Sequence, residues 1–242
     1  MNSVFEKDYL ILPSVCDAAG RLGVADSFAL FMDIASEHAM ELGVGYADLL
    51  RRELFWLTVK TKIRFFDRPA LGQRVTLRTW PEAPDRVRCN RSYQIVRDGA
   101  VLVAGKTEWA AVNIHTQRPA PAREVFPPEL EFYPSSACPE AFSRLPENSP
   151  EFREYARYRV RSTDIDVGGH MNNAAYPRVL LGSLSGEELR AMDINSAEAV
   201  FRAPCFEGEE LSLQRMEAAD QGSVFRLCRG EKAVFLARLG RD

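Results

Sequence analysis

A chain of 242 residues with 46% hydrophobic content can bury a real core, as one large domain or two small ones. A net charge of −3 argues against a nucleic-acid surface. No apolar run approaches the roughly 18 residues needed to span a bilayer, and Met1 to Leu12 does not read as a signal peptide, so a soluble, cytoplasmic protein is expected. Five scattered cysteines without a Cys-x-x-Cys, and only three histidines, point away from a disulfide framework or metal site; no cofactor is expected. Arginine outnumbers lysine 26 to 5, which genome base composition or anion binding can each explain.

Along the chain, the first element is a helix over 24–42. Phe28, Phe31, Ile34, Ala35 and Leu42 share one face, and Gly43 can stop it. Strand-like runs follow from Phe55, Arg74 and Arg91. Asp98-Gly99 signals a hairpin into Val101 to Ala104, and a further run covers Thr107 to Asn113. Residues 119–150 hold eight of the 14 prolines and read as a linker, because proline removes backbone donors and fixes φ. Beyond it come a short strand at 158–162, a helix over about 174–184, and strands at 197–203, 210–217, 223–228 and 233–238.

The two halves echo one another. Arg68-Pro-Ala-Leu-Gly-Gln parallels Pro204-Cys-Phe-Glu-Gly-Glu, and Asp17-Ala-Ala-Gly-Arg21 parallels Asp166-Val-Gly-Gly-His170. One helix followed by several antiparallel strands, repeated, predicts an α+β fold with a sheet wrapped round a helix in each half. The expected organisation is 1–120, a linker at 121–152, and 153–242. Only the second copy carries a group that titrates near neutral pH, His170 against Arg21.

The segment Asp164-Ile-Asp-Val-Gly-Gly-His-Met-Asn-Asn173 concentrates the chemistry. A carboxylate and an imidazole flank a Gly-rich turn whose amides, with those of the next helix, can receive an oxyanion. Gly168 and Gly169 are the candidate backbone donors, and Asn172 or Asn173 the helix N-cap. The plainer alternative is a surface turn with a solvated histidine. His38 falls near the apolar stripe of the first helix and suits a core or surface role; His115 reads as a loop residue.

These residues resemble the acyl-acyl-carrier-protein thioesterase family, through Ser162 to Tyr176 and through Phe55-Trp-Leu, Arg68-Pro-Ala-Leu-Gly-Gln, Thr79-Trp-Pro81, Arg91-Ser-Tyr93 and Trp109-Ala-Ala-Val-Asn113. The resemblance implies two tandem hot-dog repeats, with the first shaping an acyl pocket and the second catalytic. It implies hydrolysis of fatty acyl thioesters on acyl carrier protein with its phosphopantetheine arm. It matches Asp166, His170 and Cys205 to the family's catalytic positions, and puts Gly168 where the family has an asparagine and Pro204 where it has an acidic residue. Cys205 has a buried structural role as its alternative to catalysis. An acyl-CoA thioesterase and a non-catalytic acyl-binding protein are the rival readings. Arg153, Arg157, Arg159 and Arg161 are candidates for docking the acidic carrier if they share a face. No nucleic-acid or membrane partner is expected, and a homodimer is possible through free sheet edges.

Overall fold

The computed structural model describes residues 3–218 and 222–240. By its contacts the chain divides into two compact units, Met1–Glu140 and Ala141–Asp242. The terminal residues of the expected halves, 1, 2, 241 and 242, lie outside the described part.

The first unit starts with strand β1 (Phe5–Leu10), followed by helix α1 (Val24–Glu41) and the short helix α2 (Tyr46–Arg51). Strands β2 (Leu54–Phe65), β3 (Arg74–Pro81), β4 (Cys89–Arg97) and β5 (Ala100–Asn113) complete an antiparallel sheet in the order β1-β3-β4-β5-β2. Helix α1 forms where the periodicity predicts it, and its buried face includes Phe28, Phe31, Ile34 and Ala35. It stops at Gly43 (φ +66°). There the Gly43 amide reaches Met40 O (3.1 Å) and the Val44 amide reaches Ala39 O (2.9 Å), which satisfies the last helical carbonyls.

Strand β5 runs unbroken through Gly105, where two separate runs are expected from sequence. The glycine interrupts the hydrophobic pattern for a packing reason. A Cβ there would meet Phe31 Cε2 at 2.6 Å and Lys62 O at 2.8 Å, so its absence lets α1 settle on the sheet. The Phe31 ring then stacks on Tyr93 at 4.5 Å.

The second unit repeats this plan. Strand β6 (Arg153–Arg159) leads to helices α4 (Ala175–Gly182) and α5 (Gly186–Met192), then to β7 (Ser196–Phe201), β8 (Glu210–Ala218), β9 (Gly222–Arg229) and β10 (Lys232–Gly240). Its strand order, β6-β8-β9-β10-β7, is the order of the first unit. Even the irregularities match: a bulge at Leu102 in β5 recurs at Val234 in β10. The Leu102 carbonyl accepts the amides of Phe66 and Asp67, and the Val234 carbonyl those of Arg202 and Ala203. Each unit is thus α+β, a sheet with a helix as the duplicated pattern predicts, and the hot-dog repeat that the resemblance implies. Tyr176 of α4 stacks on Phe235 (5.1 Å) and anchors the shorter second helix to its sheet.

The proline-rich stretch is no free tether. Its first part contains helix α3 (Ala122–Val125), and Ala122, Val125, Phe126 and Leu130 are buried beside Leu49, Leu54 and Ala111. Further along, Ser135 O accepts from Trp80 Nε1 (2.7 Å) and Glu140 O from Lys106 Nζ (2.6 Å). After Ala141 the contacts are with the second unit, where Arg226 donates to Glu147 O and Glu198 accepts the Ser143 amide. Prolines prevent a regular element but not burial of the apolar side chains between them.

Candidate active site

A single 3-10 turn at Ser162–Asp164 delivers the chain into the loop, and a bridge between Ile165 and Met171 closes it. Inside, the Asp166 amide donates to His170 O (2.9 Å), the Gly169 amide to Asp166 O (3.0 Å) and the Gly168 amide to Asp166 Oδ1 (2.8 Å). Gly169 takes the left-handed conformation the turn demands (φ +79°). Asp164 braces the loop: its Oδ2 accepts from Tyr158 Oη and from the Arg161 amide, both at 2.8 Å. The Met171 amide then donates to Cys205 O (2.7 Å), tying the loop to the segment set by the Val234 bulge.

These bonds bring two of the expected residues together. His170 Nδ1 lies 4.0 Å from Asp166 Oδ1, with the side chains 41% and 30% exposed. Both therefore meet water, and the gap exceeds hydrogen-bond length by about 1 Å. The Phe206 ring stands edge-on to the imidazole at 6.0 Å, and Val167 is 79% exposed at the tip of the turn.

The first repeat builds the same loop and closes it. The Asp17 amide donates to Arg21 O (2.8 Å), the Gly20 amide to Asp17 O (2.9 Å) and the Leu22 amide to Pro69 O (2.9 Å), bond for bond as around Asp166. Here Arg68 pairs with Asp17 at 2.5 Å and Arg21 with Asp67 at 2.6 Å. Burial opposes the Asp17 charge, but bonds from the Arg21 amide and the Arg68 guanidinium outweigh it and hold the carboxyl below its usual range. In the second repeat Arg68 is replaced by Pro204 and Asp67 by Ala203. Pro204 therefore removes the cation that would otherwise occupy Asp166.

Several expectations change. The amides of Gly168, Gly169 and Asn172 are already committed, the last to Asp164 O (2.8 Å), so they cannot receive an oxyanion without opening the turn. Neither Asn172 nor Asn173 is the N-cap of α4. That position is Ala174, whose amide is bound by Asn172 Oδ1 at 2.8 Å, one step before the helix. Cys205 is wholly buried, and burial pushes its thiol up, which favours the structural role over the nucleophilic one. Its contribution is the carbonyl that holds Met171. Arg153, Arg157, Arg159 and Arg161 do not share a face. A bulge between Glu154 and Ala156 turns Arg153 to the side opposite Arg157 and Arg159, and Arg161 lies past the strand, over the Tyr158 ring.

His38 belongs to the core. It is 1% exposed, and its Nδ1 accepts from the Arg91 guanidinium (2.9 Å), which can only donate. His115 is an exposed loop residue 3.6 Å from Glu53. The tryptophans all pack: Trp56 against Trp109 and Phe126, Trp80 against Tyr133. Helix α5, unforeseen from sequence, carried a legible signal in Ser185-x-x-Glu188, whose side chains cap each other's amides (3.2 and 2.8 Å). Among the described residues no three His, Cys, Asp or Glu side chains converge to hold a metal ion, and no helix is long and apolar enough to cross a membrane.

Residues 2–127 match the acyl-ACP thioesterase N-terminal domain, and residues 147–231 the acyl-ACP thioesterase C-terminal domain. The oleoyl-acyl carrier protein thioesterase 1, chloroplastic, of Arabidopsis thaliana is 25% identical over 194 residues, covering 73% of this chain and 53% of that protein. A palmitoyl-acyl carrier protein thioesterase, chloroplastic, of Cuphea hookeriana is 26% identical over 180 residues, covering 72% and 43%. The chain spans about half the length of the curated relatives it matches. Among solved structures, an acyl-ACP thioesterase from Bacteroides thetaiotaomicron VPI-5482 superposes with a TM-score of 0.86 and 22% identity, over 98% of this chain and 97% of that one. The 12:0-ACP thioesterase from Umbellularia californica gives a TM-score of 0.83 and 17% identity, over 99% and 97%. At these identities the structural likeness speaks for the fold.

Proposed function

Starting from a chain that belongs to the acyl-ACP thioesterase family, we propose that it hydrolyses fatty acyl thioesters on acyl carrier protein to free fatty acid and carrier. The observation that supports this most is the half-exposed imidazole of His170 facing the Asp166 carboxylate, in a loop whose first-repeat copy is closed by two ion pairs.

His170 Nδ1 faces Asp166, which leaves Nε2 as the base. Nε2 takes a proton from water while the water oxygen bonds to the thioester carbonyl carbon. Asp166 stabilises the imidazolium so formed. With the Gly168, Gly169 and Asn172 amides committed, the donor proposed for the oxyanion is the carboxamide of Asn172. Asn172 is preset by the bond from the Ala174 amide to its Oδ1. Collapse of the tetrahedral intermediate breaks the carbon–sulfur bond, and the imidazolium proton passes to the departing thiolate. No covalent acyl-enzyme is required, in keeping with the buried Cys205.

The test is turnover of one acyl chain presented on carrier protein and on CoA, over several chain lengths. Faster hydrolysis from carrier protein is expected. Equal or faster hydrolysis from CoA reassigns the carrier, and fatty acyl binding without hydrolysis reassigns the chain to a binding role.

A further inference from the structure

We propose that Gly168 is a positioning residue: its missing side chain lets Asp166 and His170 address one another directly across the turn. This deepens the thioester-hydrolase reading and rests on it.

The geometry around the glycine is specific. A Cβ at 168 would stand 3.0 Å from His170 Cε1, 3.2 Å from His170 Nδ1 and 3.1 Å from Asp166 Oδ1. It would sit against both partners of the pair, closer to each than ordinary van der Waals contact. The 4.0 Å between Oδ1 and Nδ1 must shrink by about 1 Å for a hydrogen bond, and a methyl wedged against both atoms opposes that closure. A larger side chain at 168 opposes it further.

The backbone does not ask for glycine here. The left-handed residue of the turn is Gly169, not Gly168. In the first repeat Ala19 occupies the matching place, and its amide makes the matching bond to Asp17 Oδ1, 2.9 Å against 2.8 Å at Gly168. The alanine is harmless there because Asp17 turns to Arg68 and Arg21 turns to Asp67. Glycine is needed only in the copy where carboxylate and imidazole meet. The side-chain amide that the family resemblance implies at this place is therefore not a part this chain lacks; its absence leaves room for a different, direct pairing.

The experiment compares wild type with Gly168→Ala, Gly168→Asn and Asp166→Asn. It measures kcat and KM on acyl carrier protein substrate, and the tautomer of His170 by 15N NMR, with His38 and His115 as internal controls for folding. In wild type the Nδ1–H tautomer of His170 is expected, held by Asp166. Gly168→Ala is expected to lose that signature as Asp166→Asn does, and to lower kcat about tenfold with KM within twofold. Gly168→Ala with wild-type kcat and tautomer overturns the proposal, and so does Gly168→Asn turning over faster than wild type. If wild type hydrolyses no thioester, the functional reading fails by itself, and the tautomer comparison still decides the role of Gly168.

Discussion

Asp166 Oδ1 faces His170 Nδ1 across 4.0 Å, whereas the carboxylate in the same place of the first repeat, Asp17, is held by Arg68 at 2.5 Å. The two loops share their backbone bonds, so the difference lies in side chains, among them Ala203 and Pro204 in place of Asp67 and Arg68. Returning the arginine tests this. Pro204→Arg is expected to draw Asp166 into an ion pair and cut kcat about tenfold or more, whereas Pro204→Ala stays within about threefold of wild type. Steady-state kinetics of the two variants decide it: equal activity for both means that Asp166 is not the partner of His170.

Cys205 offers a second contrast. Its thiol is buried and pushed up, and its carbonyl accepts the Met171 amide. Cys205→Ala is expected to keep kcat within about twofold while losing roughly 1 kcal/mol of stability to the small cavity left behind. Urea unfolding and kinetics measure both. A loss of kcat beyond a hundredfold in a folded variant would restore the nucleophile.

The Asp17–Arg68 pair should register in the pH dependence of stability. Asp17 has a folded pKa below its unfolded value, so its contribution is full above the ordinary carboxylate range and is lost as pH falls through the folded pKa. Both side chains are partly exposed, at 32% and 25%, which limits the effect to about 1 kcal/mol at neutral pH. Asp17→Asn is expected to be destabilised at pH 7 and to converge on wild type as pH falls through the folded pKa, below the ordinary carboxylate range. Denaturation midpoints against pH check this. A deficit that grows on acidification contradicts the assignment.

Much of this was legible from residues. The stripe Phe28, Phe31, Ile34, Ala35 fixed α1, and the paired segments at Asp17 and Asp166 announced the duplication before any strand order was known. What stayed hidden depends on contacts distant in sequence. Nothing local to Gly105 says that Phe31 needs its missing Cβ, and nothing local to Met171 says that its amide reaches the Cys205 carbonyl. Strand alternation alone misplaced Arg153, because a one-residue bulge reverses every side chain beyond it. Cys205 falls at a motif position, and its burial is visible only in the fold.

The proline-rich stretch carries a consequence for stability. Phe126 is 4% exposed and packs against Trp56 (5.8 Å) and Phe132 (5.4 Å). Phe126→Ala is expected to cost roughly 3 kcal/mol, a core-sized penalty. A cost under about 0.5 kcal/mol in urea unfolding would mean that the segment is the loose tether its prolines suggest.

The central claim, a hydrolase working through His170, is tested most directly by turnover of an acyl-acyl-carrier-protein thioester by wild type beside His170→Ala. Removal of the general base is expected to lower kcat at least a hundredfold with the fold intact. Indistinguishable rates for the two proteins would contradict it.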